Sequence, residues 1–118
     1  MKRDMDLCRK IMEQVEEKSN GLSPIDIEIE GYARAEVSYQ IMIMNEGGYL
    51  TAADASTRAG LHWMARRLTW QGHEFLDAVR NDTVWIKVKE TVKEKGGTIP
   101  FEVLKALAIK FAGSVFGL

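Results

Sequence analysis

The chain has 118 residues, 46% of them hydrophobic and 28% charged, with 16 basic against 17 acidic side chains for a net charge of -1. That is the size and composition of one soluble globular domain, and the near-zero charge supplies no global basic field to recruit nucleic acid. One cysteine, Cys8, excludes an internal disulfide and a multi-cysteine metal site, and two well-separated histidines do not replace it, so neither metal nor cofactor is expected. The longest apolar run, Ile41-Met42-Ile43-Met44, is far short of the ~20 residues of a membrane span. The opening Met1-Lys2-Arg3-Asp4-Met5-Asp6 lacks the apolar core of a secretory signal, so a cytoplasmic protein without a membrane segment is expected.

Residues 4 to 18 place Met5, Cys8, Ile11, Met12 and Val15 at steps of three and four, the spacing of an amphipathic helix, which Ser19-Asn20-Gly21 stops. From Ile25 the period changes to two. Ile25, Ile27 and Ile29 alternate with Asp26, Glu28 and Glu30, which predicts a short, half-buried strand with an acidic outer face, ended by Gly31. Residues 33 to 46 carry Val37, Ile41 and Met44 on one side and read as a second helix that Gly47-Gly48 terminates. Tyr49-Leu50-Thr51 and Leu61 to Leu68 flank a small, polar stretch and are expected to pair as a long antiparallel hairpin with a mobile tip, the shape of a wing. Thr69 caps a third helix running through Arg80, Asn81-Asp82-Thr83 opens a fourth that Gly96-Gly97 ends, and Pro100 opens a last helix with a strong apolar stripe.

Helix, short strand, helix, glycine turn and hairpin is the order of a winged-helix domain, and Glu36 to Leu50 resembles a recognition helix with its turn into the wing. The blocks Met1-Lys2-Arg3-Asp4-Met5-Asp6-Leu7, Glu28-Ile29-Glu30-Gly31-Tyr32, Trp85-Ile86-Lys87-Val88-Lys89 and above all Leu68-Thr69-Trp70-Gln71-Gly72-His73-Glu74-Phe75-Leu76-Asp77 resemble the bacterial and prophage family called domain of unknown function 2513. The resemblance spans essentially the whole chain. It implies a winged-helix-like fold and a mobile-element context, and it carries over no catalytic residue. Met42 stands where the resemblance leads one to expect a polar or basic residue on the outer face of the second helix.

A reading helix in the major groove wants Arg, Lys, Asn or Gln on its outward side. Here Arg34, Ser38, Gln40 and Asn45 are offered, against Glu36 and Glu46, with Tyr39 and Met42 adding apolar surface. This suits a protein contact better than a groove lined with phosphates, and Tyr39, Gln40, Met42, Asn45 and Trp63 are the expected contact residues. The one local positive excess, Arg58, Arg66 and Arg67 against Asp54, supplies with Arg34 and Gln40 the residues of an alternative DNA interface. Strict alternation puts Leu61, Trp63 and Ala65 on one side of the wing strand and His62, Met64 and Arg66 on the other. Trp63, Trp70 and Trp85 are expected to be pieces of a small core, Cys8 a buried inert thiol, His62 an exposed wing residue, and His73 a structural histidine beside a glycine where backbones pass closely.

The expected architecture is therefore an α+β, winged-helix-like single domain over residues 1–118, with a core at 1–80 and C-terminal helices at 81–118. The expected function is non-catalytic: a phage- or prophage-type module that binds a host or phage protein, with a homodimer through the C-terminal helix and double-stranded DNA as further candidate partners. Whether the acidic residues Asp26, Glu28 and Glu30 mimic nucleic acid is left open by the sequence.

Overall fold

The computed structural model describes residues 1–117. Its architecture is α+β, with five helices and a two-stranded antiparallel hairpin among those residues. The chain divides into two compact units, Met1–His73 and Glu74–Leu118, a division inside the third helix where the sequence pattern suggests one after Arg80.

In the first unit, α1 (Met5–Lys18) begins where the Asp4 carboxylate accepts the Leu7 N–H at 3.1 Å, satisfying one of the donors that a helix start leaves free. Leu7, Cys8, Ile11, Met12 and Val15 bury the face that the three-four spacing marks. After it, Asn20 Oδ1 accepts the N–H groups of Leu22 and Ser23, both at 2.9 Å, while Gly21 takes a left-handed φ of +88° to turn the chain.

Residues 25–30 keep the expected alternation, with Ile27 buried and Asp26, Glu28 and Glu30 exposed, yet they form no strand. Only Ile25 pairs, its N–H and C=O bonding Ala65 at 2.7 and 3.0 Å. The next donor in that direction, the Trp63 N–H, is taken at 2.9 Å by the Ser38 hydroxyl, so the ladder has nothing to continue on.

Ser38 belongs to α2 (Arg34–Glu46), where Glu36 reaches back to the Ala33 N–H and Val37, Ser38, Gln40, Ile41 and Met44 are buried. Gly48, at φ +82°, lets the chain reverse so that the Tyr49 N–H bonds the Met44 carbonyl at 2.9 Å. The hairpin follows: β1 (Leu50–Asp54) pairs antiparallel with β2 (Trp63–Leu68), Leu50 opposite Leu68 and Asp54 opposite Trp63. Thr51 faces Arg67 but Ala52 faces Ala65, so Arg66 is the extra residue of a bulge. The bulge breaks the strict alternation expected of β2, and Ala65 and Leu68, three apart, are both buried. The wing tip, expected to be loose, is stitched by hydrogen bonds: Ala55 to His62 at 2.8 Å, Thr57 to Gly60 in both directions, and the Asp54 carboxylate to the Ser56 N–H at 2.9 Å. The Ser56 hydroxyl and N–H hold the Asp54 carboxyl below its usual range.

The third helix, α3 (Trp70–Val79), is capped as the sequence suggests, with Thr69 Oγ1 accepting the Gly72 N–H at 3.1 Å and donating to the Gly48 carbonyl at 2.5 Å. In the second unit, α4 (Asp82–Glu94) starts at Asn81, whose side chain accepts the Val84 N–H, and α5 (Phe101–Val115) follows Pro100. Phe75, Leu76, Val79, Val84, Trp85, Val88, Leu104 and Ala108 are its buried side chains, and Phe75 stacks on Phe101 with ring centroids 5.1 Å apart. Among the described residues no helix is long and apolar enough to cross a membrane.

Candidate interaction site

With Val37, Ile41 and Met44 turned inward, helical spacing puts Ala35, Tyr39, Met42 and Glu46, at steps of four, three and four, along the opposite side of α2. Tyr39 and Met42 are half-buried, and the ridge carries no basic residue. The helix is held to the hairpin by two bonds from its flanks: the Ser38 hydroxyl accepts the Trp63 N–H, and Asn45 Oδ1 accepts the Ala52 N–H at 3.1 Å. Asn45 is thus occupied in anchoring, and half-buried Trp63 stands beside the helix at the base of the wing.

Gln40, expected to face outward toward a partner or a base edge, does not. It is 2% exposed, its Oε1 accepts the Asp4 N–H at 2.9 Å and its Nε2 donates to the Lys2 carbonyl at 2.9 Å. An amide amid the core needs both partners, and the main chain just before α1 supplies them. The Cys8 thiol also approaches Oε1, at 3.5 Å. Burial, with Asp4 adding to it, pushes that thiol up to about 12. Reaction of Cys8 with a disulfide reagent at pH 8 is therefore expected to be about a thousandfold slower in the folded protein than in denaturant, which a timed thiol assay checks.

The arginines divide. Arg34, at the start of α2, is exposed but sits 3.7 Å from Asp26, whose other carboxylate oxygen is 3.0 Å from His62 Nε2. His62, expected to be solvated, is therefore half-buried and paired. Arg66, as the bulge residue, donates to the Leu22 carbonyl at 3.0 Å. Arg58 at the tip and Arg67 on β2 are exposed. Asp26 lies beside both Arg34 and His62, while Glu28 and Glu30 rim an open depression with Gly31 and Tyr32.

His73 is half-exposed with Nδ1 3.5 Å from a Glu16 oxygen. Trp85 is 3% exposed, as a core residue should be, but Trp70 is 76% exposed at the first position of α3 and is not core. Thr69 caps that turn and Gly72, two positions on from Trp70, carries the close approach, so the ring is directed outward. Among the described residues no three or more His, Cys, Asp or Glu side chains converge.

A helix anchored to a hairpin by Ser38 and Asn45, with further helices after it, defines a small α+β protein. The chain belongs to the family described as hypothetical protein (DUF2513), which it matches over residues 2–98. It is 38% identical over 109 residues to an uncharacterized protein of Haemophilus influenzae, covering 92% of each chain. No solved structure matches it.

Proposed function

We propose that this chain is a non-catalytic protein-interaction module that docks a partner protein on the outer ridge of α2, with Tyr39 and Met42 as its anchors and Trp63 at its edge. The observation that carries this reading is the chemistry of that ridge: the helix standing where a reading helix would stand offers an aromatic ring and a thioether outward, while Gln40 is buried and Arg34 is paired. Aromatic and methionine side chains at the centre of a contact supply most of its energy, and the few charges at the rim set orientation.

Tyr39→Asp and Met42→Asp are each expected to reduce capture of the partner by the immobilised full chain at least tenfold with the circular dichroism spectrum unchanged. Retention of the partner by both variants would refute the reading.

A second reading, duplex binding through the hairpin, is favoured by one observation: Arg58 and Arg67 are both exposed. It requires binding that weakens with salt and falls in the Arg58→Ala, Arg67→Ala double variant. Two arginines give a shallow salt slope of about two, so a titration at low salt is the most generous test.

A further inference from the structure

We propose that the exposed side of α5 is the seam of a homodimer in which two copies of the helix run antiparallel about a two-fold axis at Ala106. The helix buries Leu104 and Ala108 within its own unit, yet Val103 and Ile109 are 47% and 57% exposed, and Phe116, just past its end, is 66% exposed. Glu102, Ala106 and Lys110 are exposed among them. A helix that is apolar on both sides is a helix with a second neighbour.

The order of residues on this side identifies that neighbour as another copy. With the axis at Ala106, Glu102 faces the partner's Lys110 and Lys110 faces the partner's Glu102, because a two-fold contact makes each pairing twice. Val103 lies against the partner's Ile109 in the same register. Ala106 meets its own copy, where a methyl group lets two helix backbones approach closely. Moving the axis one turn in either direction sets Glu102 or Lys110 against itself, which stacks like charges. Charge and size thus select one direction and one register.

A 15-residue helix is about 22 Å long, so the seam is smaller than the ~800 Å² per partner of a standard stable interface, and the dimer is expected to dissociate on dilution through the micromolar range.

Sedimentation equilibrium of the full chain over that range tests it. Ile109→Asp is expected to weaken dimerisation at least tenfold, and Glu102→Lys and Lys110→Glu each to weaken it several-fold. An equimolar mixture of the two charge variants regains the wild-type dimer, since Lys at 102 of one copy then meets Glu at 110 of the other. A wild-type chain that stays monomeric throughout, an Ile109→Asp chain as dimeric as wild type, or a mixture no tighter than its components overturns the proposal. So does a monomer that sediments with anionic lipid vesicles through the same residues. Circular dichroism checks each variant, and if Ile109→Asp loses helix the charge pair decides alone.

Discussion

Gly72→Ala is expected to destabilise the protein by ~3 kcal/mol or more and to lower the thermal midpoint by about 10–20 °C. A Cβ built at Gly72 would lie 1.9 Å from the Tyr49 carbonyl oxygen and 3.1 Å from its carbon, where real contacts stop near 3 Å. Both sides of this contact are backbone, so no side chain can rotate away. The Tyr49 oxygen is also held by the Thr69 N–H at 3.2 Å, and Thr69 in turn bonds the Gly48 carbonyl, so the entry to β1 and the start of α3 would have to separate together. Gln71→Ala, an exposed neighbour on the same turn, is expected to stay within about 0.5 kcal/mol of wild type. Urea or thermal melts of the two variants check the pair; equal midpoints would mean that α3 does not pass Tyr49 this closely.

Gln40→Leu is expected to cost about 1–3 kcal/mol, because the substitution keeps the volume but removes both hydrogen bonds to the segment before α1. The Asp4 N–H and the Lys2 carbonyl would be left to find water, and the chain leading into the Asp4 cap would lose its tether to α2. The thermal midpoint should fall by about 5–10 °C. Binding of a protein partner, measured on the folded fraction, should be unchanged. The opposite pattern, full stability with binding lost, would put Gln40 at the contact surface after all.

The helices of this chain are legible because their signals are local. Asp4, Thr69 and Asn81 each accept a backbone N–H in the first turn of the helix they precede, a capping chemistry that depends only on residues three apart. Gly48 turns the chain at the end of α2 for an equally local reason, the left-handed backbone that glycine tolerates. The closeness at Gly72 was readable too, since a glycine in the first turn of a helix has little other use. The hairpin was readable as a pair of extended runs, but not its bulge, because alternation along β2 carries no record of where β1 skips a residue.

The candidate site was legible by half. Tyr39 and Met42 share one ridge, as a four-three spacing predicts, whereas Gln40 lies on the far side of the same helix. Its position beside Ile41 does not distinguish a buried amide from an exposed one; the two free backbone groups at Lys2 and Asp4, 36 to 38 residues away, do. Arg34 and His62 follow the same logic, for Asp26 meets them only after the chain has folded.

What the sequence determined by itself is the set of elements: five helices with their caps and stops, two extended runs, an apolar ridge on α2 and an apolar surplus on α5. These rest on periodicity and on contacts between near neighbours, whose partners each segment carries within itself. The tertiary structure decided which polar groups are spent. Ser38 takes the Trp63 N–H and so reduces the segment at Ile25 to one bridge, Gln40 closes on the segment before α1, Asp26 pairs with Arg34 and His62, and Trp70 is left in solvent. Each of these depends on a partner brought from a distant part of the chain, and a buried donor or acceptor takes whichever partner the packing delivers.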